Sequence, residues 1–153
     1  MLGDVVEAAL EVGRVLVVTD DESVVPGGAE AFADPGGGLG AAVGAALAAV
    51  DGHALVVNSD LPAATPAALA RLAASGLALV EASDGTTNAL SLPDPGVFAP
   101  VYGPGSAARF RVSAPFETVV IPELAFDVDG DDDLDRMPVR VGPRTRALLA
   151  VPA

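Results

Sequence analysis

Apolar positions in this chain follow two rhythms. Val5, Val6, Ala9, Leu10 and Val12 recur at helical spacing and stop at Gly13, whereas Arg14-Val15-Leu16-Val17-Val18-Thr19 is a continuous run of strand length closed by Asp20 and Asp21. Pro26-Gly27-Gly28 reads as a turn before a short edge strand around Ala31-Phe32-Ala33, and Asp34 to Gly40 reads as a glycine loop. The alanine-rich stretch from Ala41 to Val50 favours helix with almost no side-chain bulk, which predicts close packing on a sheet. Ala54 to Asn58 predicts a strand, Thr65 as N-cap with Pro66 at N1 predicts a helix to Ala74, and Leu77 to Glu81 predicts the next strand. Farther on, Asn88 to Leu92 and Thr118 to Ile121 read as strands, and Ser106 to Val112 as a short helix. Asp127-Val128-Asp129 reads as the end of another strand, and Asp133 to Met137 as one more short helix. Strand and helix alternate through the first half, which predicts an α/β fold with a mostly parallel sheet and helices on both faces. Neither a repeat nor a dividing linker interrupts the pattern, so residues 1–153 read as a single domain.

Charge narrows the partners. The formal net charge is −13, with eight arginines and no lysine, which argues against a nucleic-acid polymer or an anionic membrane as partner. An anion must then be met locally, by arginine, backbone N–H groups or a metal. No cysteine is present, so disulfides and thiolate metal sites are excluded. The opening residues carry Asp4, Glu7 and Glu11 in place of a basic start and an apolar block, and the small-apolar stretch Gly38 to Val50 is too short to span a bilayer. A cytoplasmic protein is the expectation.

The candidate chemistry gathers in loops. Ser59-Asp60-Leu61-Pro62 follows the apolar run Ala54-Leu55-Val56-Val57, so a buried strand delivers Asp60 to the sheet's carboxyl edge, where open α/β sheets bind ligands. A carboxylate there is either a turn former or helix cap, or one half of a metal site beside a phosphorylated substrate. The glycine loop could cradle phosphate or a base through Asp34, Gly37, Gly38 and Leu39, or be a plain surface turn. Asp84-Gly85-Thr86-Thr87-Asn88 is a turn between strands whose hydroxyls and amide could grip an anion. Tyr102-Gly103-Pro104-Gly105-Ser106 leads into a helix, which makes Ser106 an N-cap or part of an anion site. Of the acidic cluster, Asp131 to Asp135 read as a solvated loop and fail the calcium EF-hand pattern, while Asp127 and Asp129 abut Leu124-Ala125-Phe126 and lie on opposite faces if extended. His53, the only histidine, has no partner pattern nearby, which argues against histidine-dependent catalysis.

In this order, the glycine loop, Ser-Asp-Leu-Pro, Gly-Thr-Thr-Asn-Ala-Leu, Tyr-Gly-Pro-Gly-Ser and Asp-Val-Asp with Asp133-Leu134 resemble the guanylyltransferase family of coenzyme F420 biosynthesis. The resemblance runs from about Leu2 to Ala147. It implies a nucleotidyltransferase fold of the nucleotide-diphospho-sugar transferase type. The implied reaction joins GMP from GTP to 2-phospholactate or phosphoenolpyruvate, releases pyrophosphate, and feeds a downstream transferase that accepts the product. It also implies that Asp60 and Asp127 hold Mg2+ with Asp129 as neighbouring carboxylate. Thr86, Thr87, Asn88, Gly103, Gly105 and Ser106 would then receive the small acid, and the Asp34 to Leu39 loop would lie near the nucleotide. The alternatives are a non-catalytic phosphometabolite-binding module, or a nucleotidyltransferase for another small phosphate.

Two departures accompany the resemblance. Gly40 stands where the family pattern has asparagine, removing a polar group that could read the nucleotide. Family members also begin with a strand and lysine-bearing loops that envelop the triphosphate, and this chain starts beyond them, in the first helix. The expectation is an N-terminally truncated relative with much reduced transferase activity.

Overall fold

The structure, a computed structural model, describes residues 1–128 and 140–149. Its helices are α1 (Leu2–Leu10), α2 (Leu39–Leu47), α3 (Pro66–Ala74), α4 (Ser106–Ser113), α5 (Pro122–Ala125) and α6 (Pro143–Leu149). Its strands are β1 (Leu16–Thr19), β2 (Glu30–Ala33), β3 (Ala54–Val57), β4 (Ala78–Glu81), β5 (Thr87–Leu92) and β6 (Glu117–Thr118). The main sheet has the order β3-β5-β4-β6, and β1 pairs with β2 in a separate parallel ladder. Within the main sheet β3, β4 and β6 run one way and β5 runs against them. The fold is thus α/β with mostly parallel strands.

Helices cover both faces of the main sheet, and strand alternation decides which side chain meets which helix. On one face Ala78, Val80 and Ala89 pack with Val5 of α1, Leu69 and Leu72 of α3, and Leu124 of α5. On the other, Leu79, Leu90 and Leu92 pack with Val43 and Leu47 of α2 and with Ala107 and Phe110 of α4. Phe110 is fully buried and lies edge-on to Tyr102 and Phe116, with ring centroids 5.2 and 5.6 Å away. Local signals start α3 as expected: the Thr65 hydroxyl accepts from the Ala68 N–H at 3.1 Å, and Pro66 opens the first turn.

Two strand expectations need correction. The run Thr118 to Ile121 pairs only at its start. Val119 donates one more bond to the Leu79 carbonyl at 3.0 Å, and the chain then dives into the core at Ile121 because Pro122 opens α5. Phe126 and Asp127 end no strand either: Phe126 is extended, but residues 126–128 belong to no ladder. Helices α5 and α6 were not foreseen. The expected helix from Asp133 to Met137 lies outside the described residues. No helix among the described residues is long and apolar enough to cross a membrane.

A buried carboxylate anchors the far end of the chain. Asp4 of α1, only 4% exposed, accepts from the Arg144 N–H at 2.9 Å, the Thr145 N–H at 2.8 Å and the Thr145 hydroxyl at 2.6 Å, so it serves α6 as a cap supplied from another helix. Burial pushes its carboxyl upward, but these three donors outweigh it and hold Asp4 below the ordinary carboxylate range.

Candidate active site

Because β5 runs against its neighbours, its first residues meet the carboxyl ends of β3 and β4 at one edge of the sheet. β3 delivers Asn58 and Asp60 to that edge, and both are half-buried. The Asp60 carbonyl accepts from the Val128 N–H at 3.2 Å, so the segment bearing Asp127 lies directly against the loop bearing Asp60. Two residues on, the Pro62 carbonyl accepts from the Gly142 N–H at 2.6 Å. Asp129, the expected neighbouring carboxylate, lies outside the described residues.

A bulge shapes the start of β5. Val80 pairs with Ala89 but Glu81 pairs with Thr87, so Asn88 is the extra residue. The consequence is a reversed phase, which puts Asn88 on the α5 face with Ala89 and Thr87 on the α4 face. Thr87 turns to α4, where its hydroxyl oxygen accepts from the Ser106 hydroxyl at 3.0 Å, with both residues almost wholly buried. Asn88, 1% exposed, turns to α5 and donates its side-chain N–H to the Leu124 carbonyl at 3.2 Å. Thr86 is committed within its own turn, its N–H and hydroxyl both donating to Asp84 and holding that carboxyl below its ordinary range. Of the hydroxyls expected to receive an anion, Thr87 and Ser106 therefore come together and Thr86 stays apart.

The loop before α4 wraps around one guanidinium. Gly103 and Gly105 take positive φ, 105° and 70°, a region costly for other residues, and Gly105 is the residue that caps the helix, so Ser106 is its first member. The Ser106 hydroxyl is thereby left for Thr87. Arg109 donates to the carbonyls of Val101, Tyr102 and Pro104 at 3.0, 2.9 and 2.5 Å, locking the loop from one side. The Ala107 N–H donates to the Gly85 carbonyl at 3.2 Å, which ties the helix start to the turn preceding β5. Burial pushes the Tyr102 hydroxyl well above its usual range, so it stays protonated. Arg111 is committed to Glu81 at 2.7 Å and to the Thr118 hydroxyl at 2.9 Å.

The glycine loop reaches the same neighbourhood through α2. Asp34 accepts from the Gly36 N–H at 2.8 Å, Gly36, Gly37 and Gly38 all have positive φ, and Leu39 opens α2 and is 51% exposed. A β-carbon at Gly40 would meet Pro100 at 3.0 Å from its Cβ and 3.1 Å from its carbonyl oxygen. Glycine at this position thus goes with close contact between α2 and the loop segment that leads to Gly103. An asparagine there would have to push the two apart.

Sequence reading passed over three residues that shape this edge. Asn58 donates its backbone N–H to the Asn88 carbonyl at 3.0 Å and its side chain to the Thr87 carbonyl at 3.4 Å. Arg109 carries no mark of a structural role in the sequence, yet its three carbonyl partners make it the frame of a loop. Glu123 buries its Oε2 with no donor among the described residues. Only Asn58 had a signal, a polar side chain two residues before Asp60. Chemically, the edge offers hard oxygen donors from Asp60 and Asp127, which suit magnesium, an ion commonly held by one or two carboxylates plus substrate phosphates. No group of three potential metal ligands occurs among the described residues.

Comparison with known proteins gives the geometry a setting. The chain is 36% identical over 168 residues to a phosphoenolpyruvate guanylyltransferase of Streptomyces scabiei, covering 94% of this chain and 76% of that one. It is 38% identical over 175 residues to a protein of the same name from Nocardia farcinica, covering 97% and 76%. For a third, from Rubrobacter xylanophilus, identity is 35% over 167 residues, covering 95% and 82%. No protein-family model matches the chain. A solved structure of a hypothetical transferase from Thermus thermophilus superposes with a TM-score of 0.61 at 19% identity, covering 87% of this chain and 85% of that one, which supports the α/β fold.

Proposed function

This chain belongs to the phosphoenolpyruvate guanylyltransferase family, and from that premise we propose that it transfers GMP from GTP to phosphoenolpyruvate, with 2-phospholactate as the alternative acceptor. A phosphate monoester has a second pKa near ~6 and is largely dianionic at neutral pH, so it attacks without a general base. One of its oxygens forms a bond to the α-phosphorus of GTP, the bond from that phosphorus to the bridging oxygen breaks, and pyrophosphate leaves with the electron pair. The reaction thus needs in-line positioning and charge compensation more than proton transfer. His53 fits this, being engaged with Ser91 at 2.9 Å away from the carboxylate pair's own ties.

Asp60 and Asp127 are the residues that would hold magnesium, which when bound supplies neutralisation of phosphate charge. The single observation that carries the reading is the bond from the Val128 N–H to the Asp60 carbonyl, because it sets the two segments that bear Asp60 and Asp127 side by side at the ligand-binding edge. Thr87, Ser106 and the backbone of Gly103 and Gly105 form the floor on which the small acid rests. Gly37, Gly38 and Leu39 offer N–H groups to the nucleotide at the start of α2. Arg109 and Arg111, the arginines of α4 beside this edge, bind protein oxygens, and the chain has no lysine, so neither is left for the triphosphate and turnover should be slow. The same feature favours a second reading, a phosphometabolite-binding module without catalysis.

The test is GTP-dependent pyrophosphate release with phosphoenolpyruvate and with 2-phospholactate, run beside calorimetric titration of each acid and of GTP with magnesium. Slow but acid-dependent release supports the transferase. Binding of the acid with no release supports the module, and neither binding nor release overturns both.

A further inference from the structure

We infer that Asn88 is a positioning residue that sets the spacing between Asp60 and Asp127. This rests on the proposed role of those two carboxylates as the metal-holding pair. Three hydrogen bonds and two short stretches of backbone close into a ring at the ligand-binding edge. From Asn58 the chain runs to Asp60, whose carbonyl accepts from the Val128 N–H at 3.2 Å. From Val128 the chain runs back through Asp127 to Leu124, whose carbonyl accepts from the Asn88 side chain at 3.2 Å. The Asn88 carbonyl then accepts from the Asn58 N–H at 3.0 Å and closes the ring.

Both carboxylates ride on this ring, one on each side of the Asp60–Val128 bond, and Asn88 bonds to both carrier segments. The β5 bulge is what makes this geometry available. Regular alternation would set Thr87 on the α5 face with Ala89 and Asn88 on the α4 face, and the extra residue reverses this, sending Thr87 to α4 and Asn88 to α5. Burial fixes the amide: flipping it would place its oxygen against the Leu124 carbonyl. Its own Oδ1 is buried with no donor among the described residues, so the cost of keeping a polar side chain here is not repaid by packing alone. The α5 turn has only four residues and no side-chain cap, so the Asn88 amide is its side-chain tie to the sheet.

The experiment titrates the full chain with Mn2+ and follows free ion by electron paramagnetic resonance, comparing the wild type with Asn88→Ala, Asn88→Ser and Ser91→Ala. Ser91 lies on the same strand, buried and bonded to His53, and serves as a control for stability loss alone. Outer contacts that orient metal ligands are commonly worth about tenfold or more in affinity, so Asn88→Ala should weaken Mn2+ by about tenfold. In turnover it should lower kcat while leaving KM for phosphoenolpyruvate within about twofold. Asn88→Ser leaves room for a water toward Leu124, and should fold and lose affinity by a smaller factor even if the alanine variant does not fold. Ser91→Ala should lower the urea midpoint without changing Mn2+ affinity. Folded Asn88 variants that bind Mn2+ as tightly as the wild type overturn the inference and leave the proposed function standing. A wild type with no saturable Mn2+ site sensitive to Asp60→Asn overturns the metal-pair reading itself.

Discussion

The two sheets are built from similar apolar runs and reach different states of packing. In the main sheet every residue of β5 is buried and Leu79, Leu90 and Leu92 are fully inaccessible, with helices on both faces. In the β1–β2 ladder Leu16, Val17 and Val18 are only half-buried, and β2 is mostly exposed. The first sheet carries the end proposed to receive the small acid, where Thr87 and Ser106 are bonded to each other. The second adjoins the glycine loop proposed for the nucleotide. On the proposed function, this difference would give the compact acid, whose few polar atoms need fixed partners, a rigid floor and the larger nucleotide a looser wall.

The largest effect should come from the carboxylates at the packed end. Asp60→Asn and Asp127→Asn keep size and remove charge, so each should lower acid-dependent pyrophosphate release on the order of a thousandfold while far-UV circular dichroism stays unchanged. On the looser side, Asp34→Asn keeps the acceptor for the Gly36 N–H and should alter GTP binding by no more than about threefold. Equal losses from the two sides, measured by the same pyrophosphate assay and titration, would erase the functional contrast.

Packing can be compared directly by truncation. Phe110→Ala removes a fully buried ring among three aromatic neighbours and should cost about 3–5 kcal/mol in urea unfolding. Val17→Ala in half-buried β1 should cost about 1 kcal/mol or less. If Val17→Ala costs as much as Phe110→Ala, the ladder is more tightly integrated than its exposure implies.

How much of this could be read from the sequence follows the same divide between local and distant causes. Helix α3 was legible to its last residue because Thr65, Pro66 and the spacing of Leu69 and Leu72 all act within a few positions. That Asp60 follows a strand was legible from the apolar run before it, whereas the grouping of Thr87 with Ser106 came only from the family resemblance, since each alone reads as turn or cap chemistry. What escaped was set from afar. The Asn88 bulge depends on register with β4, the N-terminal support of α6 comes from Asp4 at the other end of the chain, and the three carbonyls that hold Arg109 exist only once its loop has closed. A single Pro122 explains why the apolar run before it stopped being a strand.

The anchoring of α6 gives an intermediate effect with a pH signature. Asp4→Asn keeps one acceptor and loses charge-assisted bonds to the Arg144 and Thr145 N–H groups, so it should cost about 1–2 kcal/mol. Because the folded carboxyl lies below its ordinary value of 3.8, its contribution is full above that value and is lost as pH falls through the lower, folded one. Urea midpoints of wild type and Asp4→Asn should therefore differ at neutral pH and converge in acid below the ordinary carboxylate range. A gap that persists there would mean the carboxylate charge is not what holds the helix. Since the Gly142 N–H reaches the Pro62 carbonyl next to the Asp60 loop, loosening α6 should also weaken Mn2+ slightly.

The smallest effect belongs to the ion pair between the strands of the looser ladder. Arg14 donates to both Glu30 oxygens at 2.7 and 2.8 Å, a bidentate geometry that looks strong in isolation. Its side chains are 62% and 55% exposed, so water and salt screen the attraction while two long side chains must be held still. The ladder's backbone pairing from Leu16↔Glu30 to Thr19↔Ala33 does not depend on it. Arg14→Gln should accordingly leave the urea midpoint within experimental scatter, and the result should not change between low and high salt. A clear loss at low salt that vanishes at high salt would show that the half-buried ladder leans on charge where the main sheet relies on burial. The contrast between the two sheets would then be one of kind, with electrostatics replacing packing in the part proposed to face the nucleotide.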